Sequence, residues 1–332
     1  MRIIFNTYAT AFQCPGGGEI QLLRSKAALE RRGHEVLLFD QWTHDLASAD
    51  VIHQFSVQGG IYNLAYYARA RGLPLVVSPI LWLAQGPSDY PMQEVELMTT
   101  LADVICPNSL AELERFVEVF SAPREKYRVT HNGVDSLFFE DVAPAAFLSA
   151  SGISGPFVLC VGNIEVRKNQ LALLEATSRL GIHAVLVGNV RDRAYFSRLE
   201  EGFAGKFSYL GYLEPDSEML RSAYAACSVF ALPSLLETPG LAALEAAAAG
   251  APLVVTQEGC TREYFGDGAY YVDPANVEDI ADKIELAMSG AANRGLLRER
   301  MRDFTWDRVA EELEQSYSRA ISVCGQRKDG LE

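Results

Sequence analysis

Short runs of β-branched and apolar residues alternate along this chain with longer stretches whose apolar positions recur every three to four residues. Arg2–Asn6, Glu35–Phe39, Val51–Phe55, Leu75–Ser78 and Val104–Cys106 read as strands, and Glu19–Arg32 reads as a helix closed by Gly33. The stretch Ser136–Gly155 breaks the rhythm with Pro144, a run of small residues, Gly152 and Gly155, and reads as a linker. A second series follows, with strands Phe157–Val161, Ala184–Val187, Phe207–Leu210, Val229–Leu232, Leu253–Val255 and Tyr270–Val272. Its helices include Asn169–Leu180, Ser217–Ala226, Gly240–Ala249 and Val277–Met288, and Thr305–Ile321 is a final amphipathic helix. Strands alternating with helices predict parallel sheets with right-handed crossovers. The expected fold class is therefore α/β, with two Rossmann-like α/β/α units over residues 1–145 and 146–304 and a C-terminal helical segment over 305–332. Open parallel sheets take ligands at the carboxyl ends of their strands, so two such units joined by a linker predict a cleft with a small-molecule site.

The 332-residue length fits two domains, and 49% hydrophobic with 22% charged residues is enough apolar side chain for two cores. A net charge of -14, spread over both halves, makes nucleic acid or an anionic membrane a poor general partner. Cys14, Cys106, Cys160, Cys227, Cys260 and Cys324 are too widely and irregularly spaced for a zinc or redox motif and suit reduced thiols. The apolar run after Met1 reads as a first strand and not a signal segment, and no stretch approaches the ~18 apolar residues of a membrane span. A cytoplasmic location, with at most peripheral contact to a membrane, is the expectation.

Three segments carry candidate chemistry. Pro233-Ser-Leu-Leu-Glu237-Thr-Pro-Gly240-Leu-Ala-Ala-Leu-Glu245 follows the strand Val229–Leu232. Thr238 fits an N-cap and Pro239 a first helical position, which would aim the free amides of Gly240 and Leu241 at an anion such as a pyrophosphate. Glu237 stands just before the helix, within reach of a polyol, and Glu245 can accept from two vicinal hydroxyls. Gly162-Asn163-Ile-Glu-Val-Arg167-Lys168-Asn169 is a basic turn after a buried strand, suited to a diphosphate leaving group. Cys14-Pro-Gly16-Gly17-Gly18-Glu19 gives the backbone close access to a phosphate or sugar but is not a dinucleotide fingerprint.

Together with Tyr127-Arg-Val-Thr-His-Asn132-Gly133-Val134-Asp135, Gly211-Tyr212-Leu213 and Gly259-Cys-Thr-Arg-Glu263-Tyr-Phe-Gly-Asp267, these segments resemble the retaining GT-B glycosyltransferases of glycosyltransferase family 4 over nearly the whole chain. The resemblance implies a sugar-nucleotide donor and transfer with retention to a glycan or lipid-linked glycan acceptor, as in bacterial surface polysaccharide assembly. It implies that Lys168, helped by Arg167 and the position of Asn163, binds the donor diphosphate; that Glu245 holds the ribose; and that Glu237 contacts the donor sugar and the reacting centre. By the same resemblance the amides of Gly240 and Leu241, beside Thr238, hold phosphate or sugar oxygens. Tyr212 and Leu213 lie beside the base, Gly17 and Gly18 approach the diphosphate, and the C-terminal helix crosses back to the first domain. No metal and no other cofactor is implied, and no Asp-x-Asp occurs.

The sequence departs from that family in three places. Asn163 stands where many members have Arg, Ile80 stands near a usual His within Ser78-Pro-Ile-Leu-Trp82, and Glu237-Thr-Pro-Gly240 replaces Glu-Gly-Phe-Gly. His53, after Val51-Ile52, and Trp82 are the candidate acceptor-side residues, while His34 and His131 read as structural. A sugar-nucleotide epimerase of the same architecture and a non-catalytic sugar-nucleotide-binding partner subunit are the competing readings.

Overall fold

The computed structural model describes residues 1–13, 15–83, 90–290 and 294–329; Cys14 lies outside them. The chain divides into two units, one of Met1–Gly133 with the C-terminal helix from Trp306, the other of Val134–Thr305.

In the first unit five parallel strands, β1 (Arg2–Asn6), β2 (Glu35–Leu38), β3 (Val51–Phe55), β4 (Leu75–Ser78) and β5 (Val104–Ile105), lie in the order β2-β1-β3-β4-β5. Ile4 faces Leu37 on one side and Ile52 on the other. Every residue of β3 and of β4 is buried, as a parallel sheet covered on both faces requires. The burial of His53 follows, since no face of β3 meets solvent. Its ring stacks on Phe55 (centroids 4.1 Å apart), and Nδ1 and Nε2 share hydrogen bonds with the Tyr317 hydroxyl (2.8 Å) and the Ser78 hydroxyl (2.9 Å). Burial lowers its pKa to about 3, so the imidazole is neutral. Tyr317 belongs to the helix Trp306–Asp329, which is also held by Arg32–Glu314 (2.8 Å) and Arg327–Asp103 (2.5 Å) ion pairs.

In the second unit β6 (Phe157–Val161), β7 (His183–Val187), β8 (Phe207–Tyr209), β9 (Val229–Leu232), β10 (Leu253–Thr256) and β11 (Tyr270–Val272) form one parallel sheet in the order β11-β10-β9-β6-β7-β8. The chain builds outward from β6 to β8, then returns to β9 and builds outward the other way. The order therefore reverses between β6 and β9, which is where an open α/β sheet leaves a crevice at its carboxyl edge.

The stretch Ser136–Gly155 is not a linker. It carries a 3₁₀ turn, Ser136–Phe139, and a helix, Ala145–Ser151, both packed within the second unit. Phe147 stacks on Phe157 and Phe138 meets Tyr224 edge-on. Pro144 and Gly152, which read as linker residues, are this helix's N- and C-caps, Gly152 with φ +68°. The division of the chain accordingly falls after Gly133.

Candidate active site

The reversal of strand order sets the turn after β6 beside the loop after β9. Asn169 fixes their spacing. It sits in the left-handed region (φ +57°), which Asn tolerates better than most residues, and its amide donates to the carbonyls of Pro233 (3.0 Å) and Pro274 (2.8 Å). The Leu235 amide donates to the Arg167 carbonyl (2.8 Å), and the Arg167 guanidinium reaches the Leu236 carbonyl (3.2 Å) and Glu165 (2.9 Å). On this frame Lys168 Nζ donates to Glu237 Oε1 at 2.5 Å, and Arg167 stands 3.7 Å from the same oxygen. Glu237 is only 4% exposed. Burial pushes its carboxyl up, but the charges of Lys168 and Arg167, with the hydrogen bond from Lys168, outweigh burial and hold it below its ordinary value. The three residues form a charged cluster, with Glu165 on the far side of Arg167.

Two glycines make room for Glu237. Gly259 (φ +101°) pairs with it in a β-bridge, and a Cβ there would lie 2.0 Å from the Glu237 carbonyl oxygen. Gly240 (φ +89°) lies under the carboxylate, where a Cβ would stand 3.0 Å from Oε2. That backbone is outside the right-handed helical region, so Gly240 is itself the N-cap and the helix runs Leu241–Ala248. This corrects the expected capping by Thr238 with Pro239 as first helical residue: Thr238 is half-buried, and Pro239 is buried ahead of the helix. The amides at the helix start keep no intrahelical partner.

Glu245, further along the same helix, accepts a hydrogen bond from the buried Tyr224 hydroxyl at 2.8 Å. Tyr224 carries no sequence motif, and its partner is 21 residues away. Burial, then the Glu245 charge, raises the Tyr224 pKa far above its usual value. Tyr212, after β8, is 48% exposed, and its hydroxyl is raised by burial, then by Glu214, with Glu245 adding to the shift. Leu213 beside it and Asn163 after β6 are half-buried, and the Asn163 carbonyl accepts from Gln170 (2.9 Å).

The remaining expected residues belong to the first unit. The glycine loop enters its helix earlier than expected, at Gly17, and Glu19 closes it by accepting from the Gly16 amide (2.7 Å) and the Tyr8 hydroxyl (3.0 Å). A Cβ at Gly17 would meet nothing, whereas one at Gly18 would stand 3.3 Å from Ile80. Ile80 has φ +50°, a strained conformation for a β-branched residue, and offers no polar group where the family usually has His. Trp82 is half-buried on the same loop. His53 lies in the interior with both ring nitrogens engaged, so it faces no acceptor surface. Among the described residues no group of three or more His, Cys, Asp or Glu side chains is placed to hold a metal.

A profile described as "Glycosyl transferases group 1" matches residues 150–305. D-inositol 3-phosphate glycosyltransferase of Mycobacterium sp. (strain JLS) is 30% identical over 303 residues, spanning 84% of this chain and 69% of that protein. The chain belongs to the glycosyl transferases group 1 family. A sulfoquinovosyl transferase of Arabidopsis thaliana is 25% identical over 82% of this chain and 57% of its own. Among solved structures, Anabaena Alr3699/HepE in complex with UDP and glucose matches with TM-score 0.76 at 19% identity, over 96% of this chain and 99% of that one. Sucrose-phosphate synthase from Thermosynechococcus elongatus matches with TM-score 0.79 at 17% identity, over 97% and 100%. The fold is thus GT-B, and the chain is a glycosyltransferase. It spans 53% to 71% of the length of the inositol-phosphate glycosyltransferases it matches.

Proposed function

We propose that the enzyme moves a hexosyl group with retention from a nucleoside-diphosphate sugar to a glycan or glycoconjugate acceptor, in the assembly of a surface polysaccharide. The observation that carries the site assignment is the buried Lys168–Glu237 pair at the strand-order reversal, beside the helix start at Gly240 and Leu241. In the reaction the bond from the anomeric carbon to the diphosphate oxygen breaks, and its electron pair leaves with the diphosphate. Lys168 and Arg167, with the helix-start amides, offset the negative charge that develops there. Glu237, held ionised, faces the positive charge that develops on the sugar ring. The acceptor oxygen bonds to the anomeric carbon on the face the diphosphate leaves, and its proton passes to a leaving phosphate oxygen. Glu245, oriented by Tyr224, accepts from the ribose hydroxyls, and Tyr212 and Leu213 border the base. The five described cysteines are free thiols, which supports a reducing, cytoplasmic setting.

The test is a thermal-shift panel of UDP-, ADP- and GDP-sugars, followed by transfer assays with the donor that binds. One base class raises the melting temperature, by a free energy of ~2.7 kcal/mol at 100 times its dissociation constant. The NMR coupling of the new glycosidic linkage then matches the donor's anomeric configuration. An inverted product removes the retaining mechanism. A panel in which no sugar nucleotide shifts the protein removes the donor-site assignment.

A further inference from the structure

The first unit contains a cavity of about 760 Å³ at the carboxyl ends of β1 and β2, within the size range of small-molecule sites. Phe5, Asn6 and Thr7 line it from β1, and the segment from Leu38 to Trp42 lines it from β2. This is the edge of an open parallel sheet at which ligands bind. We propose that this cavity is the acceptor subsite and that it takes an uncharged sugar ring stacked on Trp42, not a phosphorylated polyol. The proposal rests on the transferase reading above and adds to it the chemical class of the acceptor.

Three observations carry it. Trp42 is 85% exposed, the most exposed large hydrophobic side chain among the described residues, and Phe12 beside the same cavity is 43% exposed. The backbone turn that carries it is nevertheless held by hydrogen bonds. Asp40 Oδ1 accepts from the Trp42 amide (2.9 Å), Oδ2 accepts from the Thr43 hydroxyl (2.7 Å), and the Asp40 amide donates to His44 (3.1 Å). A rigid turn that presents a bare indole is a stacking platform, and a pyranose offers it an apolar face of C–H bonds.

Second, the lining includes the neutral polar residues Asn6, Thr7, Gln41 and Asn63, the Asn6 amide also donating to Gln54 (2.7 Å). Such groups pair with neutral hydroxyls, as donors and as acceptors. Third, no Lys or Arg occurs among the described lining residues, and the charged side chain among them is Asp40. A phosphate brought here would lose water, meet no cation and face a carboxylate. The Trp42 amide, then the Thr43 hydroxyl, hold the Asp40 carboxyl below its ordinary value, so that negative charge stays in place. Several relatives of this chain are named for D-inositol 3-phosphate, and the charge of this cavity sets it apart from such a substrate.

The experiment uses the full chain and two probe sets. One holds methyl hexopyranosides and neutral disaccharides. The other holds hexose 6-phosphates and myo-inositol 1-phosphate. Saturation-transfer NMR and tryptophan fluorescence read binding, and UDP, ADP and GDP in the same samples read the second unit separately. At least one neutral glycoside binds, with saturation concentrated on one C–H face. Its phosphorylated counterparts bind at least about tenfold more weakly, Trp42→Ala weakens the neutral ligand by about tenfold, and Trp42→Phe retains most of the affinity. At 85% exposure Trp42 can be truncated without unfolding the unit. The proposal is overturned if phosphorylated probes bind as well as neutral ones or better, if no neutral glycoside binds, or if Trp42→Ala leaves affinity within about twofold. Absent nucleotide binding would instead count against the donor site and leave the result for this cavity standing.

Discussion

At the carboxyl ends of β6 and β9, Glu165, Arg167, Glu237 and Lys168 form a chain of ion pairs with spacings of 2.9, 3.7 and 2.5 Å. At the carboxyl ends of β1 and β2 the described cavity lining is aromatic, aliphatic and neutral polar residues with a single carboxylate, Asp40. The same edge of the same kind of sheet has been furnished in two ways, and the chemistry of the ligand proposed for each explains the choice. A diphosphate leaving group gains negative charge during reaction, so its site must hold positive charge ready, and charge persists in a buried place only when paired. A neutral acceptor hydroxyl brings no charge to the reaction, and its site needs only shape, stacking and neutral hydrogen bonds. The first unit repeats this preference in its interior, where the buried His53 network is neutral.

The sharpest way to break the comparison is to remove the charge from the second unit. Lys168→Ala lowers kcat by about 10²–10³-fold, in line with loss of a preorganised electrostatic contact. It also leaves the buried Glu237 with Arg167, at 3.7 Å, as its remaining cation, which costs up to about 3 kcal/mol of stability. The double variant Lys168→Ala/Glu237→Gln removes both charges, so most of that stability returns while turnover stays low. Urea unfolding and single-turnover assays on the four members of this cycle separate the two effects. Recovery of turnover in the double variant would show that Lys168 serves only to neutralise Glu237.

Next in size is Gly259→Ala. Its Cβ would meet the Glu237 carbonyl oxygen at 2.0 Å, on a backbone at φ +101°, so the Glu237 loop must move. A loss of about 2–4 kcal/mol, with weaker donor binding, is expected. Gly17→Ala is the control from the first unit. A Cβ there meets nothing, so stability stays within about 0.5 kcal/mol. Any rise in donor KM for that variant reports a ligand that approaches the loop.

Much of this architecture is legible in the sequence, because a parallel sheet covered on both faces needs apolar runs and each crossover needs an amphipathic helix. The helix Ala145–Ser151 was not legible. It is too short to show a period, and its Pro and Gly caps are the same residues that mark linkers. At the proposed donor site Lys168, Glu237 and Gly240 are marked by local spacing after a strand. The partners that position them are not, since Tyr224 reaches Glu245 across 21 residues and Gly259 reaches the Glu237 backbone from the following strand–helix loop. One signal was available for Tyr224, because a Tyr on the apolar face of a helix must bring its hydroxyl to a partner. Trp42 could have been noticed as well, since Asp40-Gln-Trp-Thr has the Asx-turn pattern that fixes a loop in solvent. Ile80 in place of His was visible, but its left-handed backbone was not.

The two buried networks also part company in acid. His53 titrates at about 3 when folded and near 6.5 when unfolded, so between those values the unfolded chain binds the extra proton. Stability from this residue is therefore complete above pH ~6.5 and falls as pH drops below it, by about 1.4 kcal/mol per pH unit. Glu237, whose folded pKa is below the ordinary 4.5, contributes stability that is present above that value and lost only as pH falls beneath it. Between about pH 6 and pH 5 the first unit weakens while the Glu237 cluster does not. His53→Phe flattens the acid slope of unfolding free energy over that window, although it costs a constant increment for the unpaired Tyr317 and Ser78 hydroxyls. An unchanged slope would mean that His53 is protonated in the folded protein.

The smallest expected effect tests whether the neutral partner in the charged site matters. Tyr224→Phe deletes one buried hydroxyl and leaves the ring packing intact, so the cost in stability is about 1 kcal/mol. If Tyr224 serves to orient Glu245, donor KM rises several-fold, by roughly the same free energy, while kcat is unchanged, because the ribose is bound alike in the ground and transition states. A purely structural tyrosine would lower stability and leave KM alone. A fall in kcat would place Tyr224 in contact with the reacting centre, against the 2.8 Å bond that ties it to Glu245, the proposed ribose ligand.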